Sequence, residues 1–171
     1  MTYIRKISEK FFSDLVKKNN LFYIFFAIII FSLDRLSKNK IITQSTDKNQ
    51  IYVNNYINLD LVWNTGIGFG IFSTDSNLIY HSITGIIAVV ISFIIYLIIK
   101  ANLHEKLFFT LILGGALGNF YDRLIYFAVP DFIDIHYGNF HWFTFNIADI
   151  FITIGIIMLI FNDIFFKNEK N

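Results

Sequence analysis

A helix needs about 20 mostly apolar residues to cross a bilayer, and this chain offers four runs near that length, at about 21–42, 78–99, 107–127 and 147–166. The second and fourth are apolar almost throughout and end in Lys100 and Lys167. The third is interrupted only by the small residues Gly114, Gly115, Ala116 and Gly118, which permit close helix packing, and by Asn119, Asp122 and Arg123. The first opens as LFYIFFAIIIFSL and then becomes too polar for lipid, through Asp34, Arg35, Ser37, Lys38 and Lys40. Charged residues make up 16% of the chain, against roughly 25% in soluble domains. These features predict an all-α integral membrane protein with four transmembrane helices, a single membrane domain over residues 1–171 with membrane lipid as its surroundings.

Two segments are left between the spans on one side of the membrane, about 43–77 and 128–146. In the first, Ile57, Leu59, Leu61 and Trp63 alternate with Asn58, Asp60, Val62 and Asn64. That period of two predicts a strand, paired with Ile51 to Val53 through Asn54-Asn55, and hence a small extracytoplasmic β-sheet. The glycine-rich NTGIGFGIF follows at 64–72. Arg5, Lys6, Lys10, Lys17 and Lys18 precede the first span, Lys100 and Lys106 bracket the connection between the second and third, and Lys167 and Lys170 follow the fourth. Because cytoplasmic segments carry the excess of lysine and arginine, both termini are expected in the cytoplasm. Glu9 and Asp14 before the first run, with no small-residue cleavage site after it, argue against a cleaved signal peptide.

Several chemistries lack their parts. There is no cysteine for a thiolate nucleophile or a cysteine-built metal site. His81, His104, His136 and His141 show no H-x-x-x-H spacing, and no G-x-S-x-G elbow is present. Neither a cofactor nor a metal is therefore expected. A formal net charge of +1 gives no electrostatic reason to expect nucleic acid as a partner.

Ionisable groups in or beside spans are costly and become functional candidates by default. Asp34 and Lys38, Asp122 and Arg123, Asp131, Asp134 and Asp149 all fall at one depth, the outer interface, when the rise of about 1.5 Å per residue is counted along each span. Each has a structural alternative. Asp34 and Lys38 have the i, i+4 spacing of a helical ion pair. Asn119, Asp122 and Arg123 share one helix face and suit a polar clasp between helices. Asn146 and Asp149 have the spacing of a helix cap, and Asp131 and Asp134 read equally as solvated loop carboxylates. The catalytic alternative is an aspartyl pair, in which two neighbouring carboxyls share a proton because both cannot ionise together.

Five blocks in order, DRLSK at 34–38, NTGIGFGIF at 64–72, GGALGNFYDR at 114–123, VPDF at 129–132 and FNIAD at 145–149, resemble the signature blocks of signal peptidase II, the lipoprotein signal peptidase family. The resemblance implies an aspartic endopeptidase of the bacterial cytoplasmic membrane with Asp131 and Asp149 as catalytic residues, Asp131 coming from a loop and Asp149 from a helix start. It implies that Asn64, Gly70, Asn119 and Asn146 line the site or contact substrate, that Asp122 and Arg123 support it, and that Asp34 and Lys38 form a polar pair of the first span. Pro130 stands where the family pattern more often has an aliphatic residue. The implied substrate is a diacylglyceryl-modified prolipoprotein cut on the amino side of its lipidated cysteine, near the outer face, by an enzyme expected to act as a monomer. Two other classes stay open on the residues alone. A proton-coupled transporter would spread ionisable groups across the bilayer, and a non-enzymatic helper subunit would need no carboxylate pair.

Overall fold

The computed structural model describes residues 2–44, 51–66 and 77–166. Gly70, with the rest of the glycine-rich run from residue 67 on, and the lysines at 167 and 170 lie outside the described residues. Among these residues five helices and four strands follow in the order α1 (Thr2–Leu15), α2 (Lys18–Gln44), β1 (Ile51–Asn54), β2 (Ile57–Asn64), α3 (Asn77–Lys100), α4 (Leu103–Ile125), β3 (Val129–Tyr137), β4 (Phe140–Phe145) and α5 (Ile147–Phe166). The chain is thus mostly helical with one small sheet. Among the described residues three helices, α2, α3 and α5, are long and apolar enough to cross a membrane. The other long helix, α4, is the one that packs against all three. The short helix α1 was not expected from the sequence, where the first run starts only at residue 21.

Since lipid tails are as apolar as leucine, helices in a bilayer gain little by hiding apolar surface from lipid and depend on close contact instead. The glycines of α4 provide that contact. A Cβ at Gly114 would collide with Ile30 of α2, and one at Gly115 with the backbone of Ala148 at the start of α5. Tyr23, Ala27, Ile91, Ile94, Ile98, Ile112 and Leu113 pack into the core that α2, α3 and α4 share. The lysine-rich end of the bundle is closed by polar ties, Tyr23 Oη donating to Leu103 O at 3.2 Å and Lys106 Nζ to Asn20 Oδ1 at 2.5 Å.

The sheet caps the opposite end. Its order is β1-β2-β3-β4, antiparallel throughout. The expected β1–β2 hairpin is present, and Asn54 makes its turn by accepting from the backbone of Tyr56 at 2.8 Å and Ile57 at 3.0 Å. The second half of the sheet was not expected. Residues 128–146 form the β3–β4 hairpin, so Asp131 stands on a strand instead of in a loop. The reason lies just upstream. After α4 ends, Phe127 takes a left-handed φ of 56°, a helix-ending conformation that reverses the chain and delivers it beside β2, where Val129 pairs with Asn64 and Asp131 with Val62. Gly138, with φ 58°, turns β3 into β4, and β4 runs directly into α5.

Candidate active site

Asp131 on β3 and Asp149 in the first turn of α5 meet at the junction of sheet and bundle, and Asn146 joins them. It is the residue before α5. Its side-chain Oδ1 accepts from the Asp149 backbone N–H at 3.1 Å, while its own backbone N–H donates to Asp149 Oδ2 at 3.1 Å. This reciprocal pair is a capping box, so the capping role open to Asp149 in the sequence is realised. It does not exhaust the residue. The Asn146 amide also donates to Asp131 Oδ1 at 2.5 Å, so one side chain is bonded to both aspartates. Asn64 Nδ2 donates to the other oxygen of Asp131 at 2.9 Å, and Asn119 Nδ2 donates to the other oxygen of Asp149 at 2.8 Å.

Asp131 is 3% exposed, which removes the solvated-loop reading. Burial, followed by the negative charge of Asp149, pushes its pKa up to about 6, against the opposing pull of the Asn64 and Asn146 amides and of Lys38. Of the three expected asparagines, all are in place, each with an amide on a carboxylate of the pair.

Beneath the pair lies a buried ionic cluster. Lys38 Nζ donates to Asp34 Oδ2 at 2.8 Å, Asn119 Oδ1 at 2.8 Å and Asp122 Oδ2 at 2.7 Å, which uses all three ammonium protons. The expected Asp34–Lys38 pair is therefore present, and its aspartate also accepts from the backbone of Ala148 at 2.9 Å, a second anchor for the start of α5. The expected clasp is only partly so. Asn119 and Asp122 meet at Lys38, but Arg123 reaches elsewhere, donating through Nη2 to the carbonyl of Gly66 just past β2, while Tyr80 Oη bonds its own carbonyl at 2.8 Å. Its Nε and Nη1 are buried with no partner among the described residues.

Sequence reasoning missed Arg35. Its Nη1 bonds Asp122, its Nη2 bonds Asn39 at 2.9 Å, and its guanidinium lies 4.7 Å from the centre of the Tyr121 ring. A cation within a polar helix end was the only signal available, and Lys38 carried the same one. Asp134 is buried as well, but its partner is His141, at 2.7 Å, and not the pair.

Next to Asp149 the surface opens into an apolar groove of about 270 Å³ between sheet and helix, lined by Ile135, Phe143, Phe145, Ile150, Thr153 and Ile154. A buried acid on β3 and a half-buried one on α5, both bonded by Asn146 beside an apolar groove, have the arrangement of a hydrolase that works at a membrane. Comparison with known proteins gives the family. The family model described as "Signal peptidase (SPase) II" matches residues 26–165. The "Lipoprotein signal peptidase" of Pelagibacter ubique (strain HTCC1062) is 47% identical over 155 residues, covering 90% of this chain and 93% of that protein. The protein of the same description from Francisella tularensis subsp. novicida (strain U112) is 41% identical over 154 residues, with 86% and 94% covered. A solved bacterial membrane enzyme, determined by the in meso method at 2.3 Å, superposes with a TM-score of 0.73 at 31% identity, covering 87% of this chain and 91% of its own. The chain belongs to the signal peptidase II family, and is thus a membrane peptidase of a bacterial family.

Proposed function

We propose that this protein removes signal peptides from diacylglyceryl-modified prolipoproteins by aspartic catalysis, with Asp131 and Asp149 as the dyad. The family supports the reaction, and the single observation that supports the dyad is Asn146 bonded to both carboxylates. In this reading the pair carries one shared proton. The ionised carboxyl takes a proton from water as the water oxygen attacks the scissile carbonyl, and the protonated partner donates to the carbonyl oxygen. The tetrahedral intermediate collapses as a proton passes to the leaving amine, and the dyad returns to its starting state. The asparagines hold both acids without neutralising them.

The substrate fits the same end of the molecule. A signal helix and two acyl chains both prefer lipid, so they would lie along the apolar groove beside Asp149 with the scissile bond at the level of the dyad. Helix α4 is taken as the fourth span, because it is the long helix at the centre of α2, α3 and α5. The lysine-rich end, with Lys17, Lys18, Lys100 and Lys106, is taken as cytoplasmic and the sheet as external. The enzyme is taken to work as a monomer, since every group assigned to the dyad comes from one chain.

Cleavage of a diacylglyceryl-modified prolipoprotein by the purified protein in detergent tests the assignment. Asp131→Asn and Asp149→Asn are expected to lose activity while staying folded, with Asp60→Asn on β2 cleaving normally. Normal cleavage by either dyad variant would sink the dyad, and a wild type inactive on lipidated substrate would sink the substrate.

A further inference from the structure

Among the described residues outside the dyad, one cluster combines three metal-ligating side chains from two strands. Asp134 and His136 alternate with Ile135 on β3 and so share one face of the sheet, opposite the face on which Asp131, Ile133 and Ile135 point. His141 belongs to β4. Asp134 pairs with Thr144, and regular pairing would then set His136 opposite Trp142 and aim His141 at the other face. A bulge between these positions pairs His136 with His141 instead, and bulges re-aim side chains in this way. The imidazoles stack at 5.2 Å between centroids with 21° between planes.

The donor atoms converge. The Nδ1 of His141 stands 2.7 Å from Asp134 Oδ2 and the Nδ1 of His136 stands 3.8 Å from the same oxygen. All three ligand atoms lie within 4.8 Å of one another. Ligands at zinc bond lengths around one tetrahedral ion stand about 3.3 Å apart, a value the two observed separations bracket. An ordinary hydrogen bond accounts for His141 on Asp134. It gives no reason for a second imidazole nitrogen to face the same carboxylate, since the amide of Asn58 already donates to His136 Nδ1 at 3.3 Å.

We propose that Asp134, His136 and His141 form a binding site for a divalent transition metal of the zinc class, which staples β3 to β4 on the sheet face away from the dyad. Two imidazoles, borderline donors, beside one carboxylate suit zinc, copper or nickel better than calcium or magnesium, which take shells of oxygen. Binding displaces Asn58 from His136 Nδ1, and His141 takes the tautomer that carries its proton on Nε2, which leaves both Nδ1 lone pairs for the metal. With Asp134, His136 and His141 each giving one atom, a water completes the four-coordinate shell. The expectation of no metal rested on ligand spacing along a helix; this site is cross-strand, and its pairing depends on a bulge. Because β4 leads straight into Asn146, the staple braces the hairpin that carries the residue bonded to both carboxylates of the dyad.

The test is calorimetric titration of ZnCl2 into the full chain, free of any polyhistidine tag, in detergent and a non-chelating buffer. Wild type is expected to bind with one-site saturation and to melt at a higher temperature with zinc, as a ligand specific to the folded state requires. His136→Ala and His141→Ala are expected to weaken binding by at least about tenfold and to lose the zinc-dependent shift. His141→Asn, at an exposed position on the edge of the sheet, keeps a donor for buried Asp134 and is expected to melt close to wild type without metal while losing the zinc-dependent shift, which separates lost ligation from lost folding. His81→Ala combined with His104→Ala is expected to keep full binding. No saturable binding by wild type, unchanged binding by the His136→Ala, His141→Ala double variant, or loss of binding in the His81, His104 control would each overturn the proposal.

Discussion

Four aspartates gather at one end of this bundle, and two are held differently from the other two. Asp34 and Asp122 face cations: Lys38 bonds both, and Arg35 bonds Asp122. Asp131 and Asp149 are held by the neutral amides of Asn64, Asn119 and Asn146 and by backbone. A buried cation balances the charge of a carboxylate, whereas a neutral amide orients it and brings no opposing charge. The inner two therefore suit a scaffold and the outer two suit proton transfer. Asn119 marks the boundary, accepting from Lys38 on one side and donating to Asp149 on the other.

That contrast can be broken by substitution. The largest effect is expected at the outer pair, where Asp131→Asn or Asp149→Asn should lower kcat by more than about a thousandfold with the melting transition retained. At the inner pair the effect should fall on stability: Lys38→Met leaves buried Asp34 without a cation and Asp122 with Arg35 alone, and breaking a buried pair typically costs about 3–5 kcal/mol, seen as a lowered melting temperature in detergent. A variant as stable as wild type would mean the cluster is not structural. Gly118→Ala drives a Cβ into the Asp34 carboxylate, and overpacking of this kind costs about 1–3 kcal/mol. Thermal melting reads it, with Gly85→Ala, where a Cβ meets nothing within 4 Å, as the comparison.

The pH profile sharpens the comparison with the smallest change. Asp131 takes up its proton near pH 6, not near the 3.8 of an ordinary aspartate, so kcat/KM should be bell-shaped with its alkaline limb near about 6: activity falls as pH rises through that value and the shared proton leaves. The Asn64 amide favours the charged form of Asp131. Asn64→Ala should therefore move that limb upward, and a downward move would contradict the proposed hydrogen-bond role.

The spans were legible because the bilayer imposes a length that a one-dimensional count can find, and α2, α3 and α5 lie over the expected runs within a few residues. The first hairpin was legible because alternation at 57–64 is a local pattern with an asparagine turn. The second was not. VPDFIDIHY carries a proline and apolar residues on both faces, since β3 lies between β2 and β4 and against the bundle, and strands buried on both sides lose their alternation. The short helix α1 escaped for another reason: its charges hide it from a search for apolar runs.

The sequence by itself determined the membrane setting, the family blocks, the Asp34–Lys38 pair and the Asn146–Asp149 cap, because each depends on residues near one another in the chain or on hydrophobic length. Only the tertiary structure decided that Asn146 also reaches Asp131, that Lys38 binds Asp122 and Asn119 across helices, that Arg123 leaves the clasp for Gly66, and that a bulge turns His141 toward Asp134 and His136. Those contacts join distant segments, and their geometry is set by glycine-permitted helix approach, a left-handed residue at Phe127 and strand register, none of which a spacing along the chain encodes.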